Sequence, residues 1–138
     1  MAGYSGTPLV KKLGFKDNFR AALVNAPKSF AKELEPLPEN VEFVSNSGAK
    51  QLDLILLFVD SQRNLIKEFP SCARRLTENG MLWVAWPKKA SGVPTDLTDN
   101  SVRTIGLDAG LVDVKVCAVN DIWSGLKFVY RLKDRSKR

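Results

Sequence analysis

The chain has 138 residues, of which 44% are hydrophobic and 26% charged, enough for one compact core and too few for two. Lys+Arg is 21 against 15 Asp+Glu, a formal charge of +6, which points toward nucleic acid or an anionic surface until the charges are located. Histidine is absent, which excludes Ser-His-Asp and Cys-His catalytic units and every His-containing metal site. The charge sits at the two ends: residues 1–20 carry +3 and residues 127–138 carry +5, while the body between them sums to −2.

In chain order, Thr7-Pro8 reads as an N-cap followed by proline at the first helical position of a short helix that carries Leu9 and Leu13 and stops at Gly14. Residues 19–24 form a first strand closed by Asn25-Ala26-Pro27. Phe30 and Leu34 then suit a short crossover helix ending before Pro36 and Pro38. Residues 41–45 read as a second strand broken by Asn46-Ser47-Gly48. Residues 52–59 are nearly unbroken apolar sequence, the pattern of a central strand buried on both faces.

Asp60-Ser61 caps the next helix, where Leu65, Ile66 and Phe69 recur at helical spacing. Pro70 ends or restarts it, Cys72, Ala73 and Leu76 continue its apolar face, and Asn79-Gly80 closes it. Residues 81–86 are another apolar strand, the loop 87–94 follows, and a helix runs from about Thr98 to Leu107 with Val102 and Ile105 inward. Residues 113–119 and 126–132 are the last two strands. The connection between them is too short for a parallel crossover, so they form an antiparallel hairpin. The alternation predicts an α/β fold, a three-layer sandwich on a mostly parallel six-stranded sheet with a C-terminal antiparallel hairpin. Residues 1–133 form the single domain, with 1–14 an N-terminal arm and short helix, and 134–138 a basic tail.

Cys72 and Cys117 are far apart in apolar segments, so neither a disulfide framework nor a C-x-x-C motif is present. No apolar run approaches the roughly 20 residues of a membrane span, and the N-terminus lacks the apolar core of a signal peptide. A reduced, cytoplasmic setting is expected.

Two stretches, YSGTPLVKKLG from Tyr4 and WPKKASGVPTDL from Trp86, followed by LVDVKVCAV from Leu111 and WSGLKFV from Trp123, resemble a bacterial domain family of unknown function, from Tyr4 to about Arg131. More distantly, LTENGMLWVAWP followed by a helix and an antiparallel hairpin is similar to the second half of the class I methyltransferase fold. That resemblance implies a sheet order of 3-2-1-4-5-7-6 with one strand missing and strand 7 antiparallel.

In such a sheet a nucleoside cofactor lies at the first strand-to-helix turn, where glycines allow close backbone approach and an acid after the second strand holds the ribose. Here no glycine falls between Gly14 and Gly48, and the second strand ends in Ser45-Asn46-Ser47 without a carboxylate. A Walker phosphate loop is absent. On these grounds no cofactor and no metal site are expected.

The carboxyl ends of the strands converge on one rim, the usual ligand edge of an open α/β sheet. They deliver Asn25, then Asp60 and Ser61, then Trp86 to Lys89, then Asn120 and Asp121, with Trp123 and Ser124 from the hairpin. Lys88 and Lys89, followed by Ser91, Gly92, Thr95 and Asp96 ahead of a helix, assemble ammonium groups, hydroxyls and helix-terminal N–H donors, the components of an anion site. Trp86 and Trp123 supply an aromatic wall. The blander reading is a solvated Lys-Lys pair, an ordinary cap, and Trp83 and Trp86 filling core volume from their strand; Trp123, in a turn between polar residues, fits that reading less well.

The expected function is therefore a non-catalytic binding domain for an anionic small molecule or a protein partner, at a ligand-binding set of Asn25, Trp86, Lys88, Lys89, Ser91, Gly92, Thr95, Asp96, Trp123 and Ser124. A divergent S-adenosylmethionine-dependent methyltransferase is the first alternative. A nucleic-acid-binding accessory protein that uses its basic tail is the second, ranked lower because the body is slightly acidic and lacks interleaved basic and aromatic residues. No membrane partner is expected, and the protein is expected to be a monomer or homodimer.

Overall fold

The computed structural model describes residues 7–45 and 48–135. Tyr4 and most of the N-terminal arm, the Asn46-Ser47 break and the last three tail residues lie outside them. The elements are α1 (Leu9–Leu13), β1 (Arg20–Val24), a 3₁₀ segment (Phe30–Leu34), β2 (Glu42–Phe43), β3 (Leu52–Phe58), α2 (Gln62–Arg74), β4 (Leu76–Pro87), a second 3₁₀ turn (Lys89–Ser91), α3 (Asp99–Asp108), β5 (Leu111–Ala118), β6 (Trp123–Tyr130) and α4 (Leu132–Arg135).

Six strands form one sheet in the order β2-β1-β3-β4-β6-β5. The β1–β2, β1–β3 and β3–β4 pairs are parallel, and β6 is antiparallel to both β4 and β5. In the numbering of the resemblance this is 2-1-4-5-7-6, so the missing strand is the one at the edge beyond strand 2.

The central strands owe their place to burial on both faces. Leu54, Leu56, Phe58, Trp83 and Ala85 pack with Val10 and Leu13 of α1 and with Phe30 and Leu34 of the 3₁₀ segment. The alternate residues Ile55, Leu57, Val59, Leu82, Val84 and Trp86 pack with Leu65, Phe69, Cys72 and Ala73 of α2 and Val102 of α3. Trp83 is fully buried, with its indole N–H donating to Leu13 O at 2.8 Å. Among the described residues no helix is long and apolar enough to cross a membrane.

Several sequence expectations change. Pro8, rather than Thr7, holds the N-cap position of α1, and no side chain caps it. The second strand shrinks to Glu42–Phe43, both exposed at the sheet edge, because only a short stretch aligns with β1. The crossover helix is a five-residue 3₁₀ segment. Helix α2 runs through Pro70 and ends at Arg74. The missing hydrogen bond and ring clash of an internal proline cost about 3 kcal/mol, offset by burial of Phe69, Cys72 and Ala73 on either side.

Asn79-Gly80 is therefore not a helix stop but part of β4. The β3–β4 register slips there: Leu52 pairs with Leu76 but Leu54 with Met81, so β4 accommodates extra residues. A Cβ on Gly80 would lie 2.8 Å from Leu52 O, and glycine is required by this close approach of two backbones.

Candidate functional site

The carboxyl ends of β1 and β3 diverge where the chain reverses its direction of travel across the sheet, since β2 lies on one side of β1 and β3 on the other. Such a switch point opens a crevice at the strand ends. Here it is a cleft of about 330 Å³ lined by Asn25, Phe58, Val59, Asp60, Asn64, Glu68 and Trp123, at the small end of the ~300–1,000 Å³ range of small-molecule sites.

Each wall has a local cause. Asn25 follows β1 in the left-handed conformation, φ 60°. Asparagine tolerates this region better than most side chains, so the sharp turn is made without the glycine whose absence is so visible in the sequence. Ser61 caps α2 by accepting from Asn64 N at 3.1 Å, which fixes the first turn of the helix beside the end of β3. Asn64 and Glu68, four residues apart on α2, share one side of the helix, and Asp60, just before the Ser61 cap, has its Oδ1 3.5 Å from Asn64 Nδ2.

Trp123 opens β6 and meets Phe58 edge-on, centroids 4.9 Å apart and planes at 86°; Phe58 meets Phe30 in the same way at 4.9 Å. The turn before Trp123 is held by Asn120, whose Oδ1 accepts from Ile122 N and Trp123 N, both at 2.9 Å, and whose Nδ2 donates to Glu33. Among the described residues, no hydrogen bond occupies the Trp123 indole N–H.

A second cleft of about 360 Å³ opens at the ends of β4 and β6, lined by Trp86, Pro87, Lys88, Lys89, Leu97, Thr98, Asp99, Val116 and Ser124. The residues singled out in the sequence thus divide. Trp86, Lys88, Lys89 and Ser124 meet in the second cleft, whereas Asn25 and Trp123 line the first.

Of the remaining four, Ser91 and Gly92 have local partners, whereas Thr95 and Asp96 bond across the rim. Ser91 Oγ donates to Lys88 O at 2.6 Å and accepts from Val93 N, and Gly92 ends the 3₁₀ turn at φ 77°. Thr95 Oγ1 donates to Asp60 O at 2.7 Å. Asp96 Oδ1 accepts from Gln62 N at 2.7 Å, at the start of α2. Thr95 and Asp96 thereby tether the loop after β4 to the end of β3, while α3 is capped by Thr98 and Ser101. Asn64, Glu68 and Phe58 were missed in the sequence, although the four-residue spacing of Asn64 and Glu68 just after the Asp60-Ser61 cap was a readable signal.

The thiols fit their apolar surroundings. Burial pushes Cys72 up to about 11, with Arg75 opposing and Glu68 reinforcing. Burial also raises Cys117, against Lys12, Lys115 and Lys127. A raised pKa leaves little thiolate at neutral pH, and neither is an activated nucleophile.

No family model matches the chain, and no curated protein matches it. Solved structures do. A SAM-dependent methyltransferase from Aquifex aeolicus aligns with a TM-score of 0.63 at 15% identity, over 87% of this chain and 86% of that one. The precorrin-6y C5,15-methyltransferase of Geobacter metallireducens GS-15 aligns at 0.58 and 14%, over 89% and 86%. Magnesium protoporphyrin IX methyltransferase from Synechocystis PCC 6803, solved with bound SAM, aligns at 0.58 and 9%, over 89% and 74%. The fold is methyltransferase-like. These likenesses overturn the leading expectation of a non-catalytic binding domain.

Proposed function

We propose that this chain is a divergent S-adenosylmethionine-dependent methyltransferase, a three-layer domain with its cofactor in the cleft between β1 and β3. The observation that carries this reading is the donor set of that cleft. Asp60 and Glu68 bring two carboxylates, Asn25 and Asn64 two carboxamides, and Trp123 an indole, all at the switch point. S-adenosylmethionine carries a sulfonium and an ammonium group, so paired carboxylates beside an aromatic ring match its cationic half. The ribose half is met differently from the family pattern, because no carboxylate stands in the short segment described after β2.

When bound, the cofactor supplies an electrophilic methyl group. This chain's residues then have distinct tasks. Asp60 and Glu68 orient the cationic end, Trp123 and Phe58 shield it from water, and the Thr95–Asp60 and Asp96–Gln62 bonds hold the loop that separates the two clefts. We place the acceptor in the second cleft, where Lys88 and Lys89 favour an anionic molecule and Trp86 and Ser124 line the wall.

Titration calorimetry with S-adenosylmethionine tests the reading. Binding is expected in the wild type, and Asp60→Asn or Glu68→Gln weakens it by about 10- to 100-fold, the ~1.5–3 kcal/mol of a hydrogen bond to a charged group. S-adenosylhomocysteine, which lacks the sulfonium charge, is less sensitive to both substitutions. Absence of heat at millimolar ligand overturns the proposal.

A further inference from the structure

The basic residues that the sequence places at opposite ends of the chain meet on one face of the sheet. Lys12 of α1 donates from Nζ to Ala118 O at the end of β5, at 3.2 Å. Lys115 of β5 returns the contact, Nζ to Lys12 O at 3.4 Å. Lys115 and Lys127 stand directly opposite each other in the β5–β6 ladder, and the Lys127 ammonium sits 5.9 Å from the centroid of the buried Trp83 ring. Lys16, just beyond α1, completes the group. Burial first, and then the nearby charges of Lys115 and Lys16, hold the Lys127 ammonium below its ordinary pKa.

Like charges directly opposite across a ladder are destabilising, and here they are met by backbone carbonyls and an aromatic ring rather than by carboxylates. Among the described residues the two ion pairs are Arg20–Glu42 and Arg103–Asp113, so none of the four lysines has a carboxylate partner. We propose that this face, formed by α1, β5 and β6, binds the phosphate backbone of a single-stranded nucleic acid through Lys12, Lys16, Lys115 and Lys127.

The side-chain chemistry selects that partner. Protein interfaces are enriched in arginine and aromatic residues and depleted in lysine. This group contains lysine alone, and its tryptophan is buried beneath Lys127. Lys12 and Lys127 are half-buried, their ammonium groups held against Ala118 O and over the Trp83 ring, whereas Lys16 and Lys115 are exposed. A flexible backbone can fold its phosphates onto both levels; a rigid duplex reaches the outer pair. The inference stands apart from the cofactor cleft and needs no cofactor for its test.

The test is fluorescence anisotropy with labelled oligouridylate, oligothymidylate and a duplex, measured against salt on the full chain. Four phosphate contacts predict a log–log slope of about −3 for a single strand. Replacing all four lysines by glutamine flattens the slope to near zero. The pair Lys16→Gln and Lys127→Gln, which leaves the two backbone-bonded lysines intact, reduces it by about half. Neutralising Lys133, Arg135, Lys137 and Arg138 leaves most of the slope in place. The proposal is overturned if the paired variant keeps the wild-type slope, if the tail variant alone abolishes binding, if the duplex binds more tightly than either strand, or if anionic vesicles or polyglutamate bind as tightly at equal salt.

Discussion

One face of the sheet lies under the 13-residue α2 and the 10-residue α3, whereas the other lies under the five-residue α1 and a five-residue 3₁₀ segment. Both faces bury complete aromatic side chains, Phe69 and Phe128 on the first and Phe30 and Trp83 on the second. They differ in what surrounds those side chains. Long helices close the first face; on the second, short segments cover the core, and lysines of α1, β5 and β6 lie beside them. Short cover leaves room for charge, and it is on this face that the basic group assembles.

The largest expected effects compare the cores of the two faces. Phe69→Ala and Phe30→Ala both empty fully buried sites, for which a cost of about 3–5 kcal/mol is ordinary. The cost depends on how far neighbours collapse into the space. A five-residue 3₁₀ segment shifts more readily than a helix packed edge-on through Phe69 and Phe128, whose centroids are 5.1 Å apart. Urea unfolding should therefore show Phe30→Ala as the milder change; an equal or larger cost would mean that the thin face is as rigidly determined as the thick one.

Next comes Gly106 of α3, whose added Cβ would fall inside contact distance of the Phe128 ring. Gly106→Ala forces α3 away from β6, with a loss at the upper end of the ~1–3 kcal/mol range for overpacking. The companion change Phe128→Leu relieves the clash, so the double variant should recover part of the stability. A neutral Gly106→Ala would contradict the close helix–sheet contact that distinguishes this face.

Much of the fold is readable in the sequence because it rests on short-range pattern. The apolar run of β3, the Ser61 cap, the Thr98 start of α3 and the antiparallel hairpin each follow from neighbours within a few residues. What escapes depends on distant backbone. Gly80 is a glycine because Leu52 O passes close by. Asn25 replaces a glycine because the turn after β1 needs positive φ, and the residue type alone does not reveal that use. Thr95 and Asp96 read locally as a cap, yet they bond to Asp60 and Gln62 across the rim. The site is half-legible for the same reason: Trp86, Lys88 and Lys89 are neighbours in sequence and Ser124 pairs with Trp86 in the β4–β6 ladder, but the first cleft required the strand order.

The two thiols sharpen the contrast between the faces at smaller cost. Cys72 is raised from 9.0 to about 11, chiefly by burial. An acid whose folded pKa lies above its unfolded value favours the protonated native state, so its contribution is intact below about pH 9 and is lost as pH rises from there to about 11. The window is worth no more than about 3 kcal/mol, and a Cys72→Ala variant should lack that part of the alkaline fall in denaturant midpoint. Cys117, half-buried among lysines, should react with a thiol reagent well before Cys72 at neutral pH; the reverse order would place the open surface on the wrong face.

The smallest stability effect belongs to Lys16→Gln, and its sign carries the argument. Lys16 is exposed and has no carboxylate partner among the described residues, and its charge is one of those that lower the Lys127 pKa. Removing it should raise the midpoint slightly, by less than about 0.5 kcal/mol at low salt, and the gain should vanish once added salt screens exposed charges. The same substitution should weaken binding of a single strand and reduce its salt slope by about 0.7. A residue that lowers the stability of its own fold while strengthening contact with a polyanion is retained for the contact. If Lys16→Gln instead destabilises at low salt, the lysines of the thin face are structural, and the unequal cover of the sheet has no bearing on what it binds.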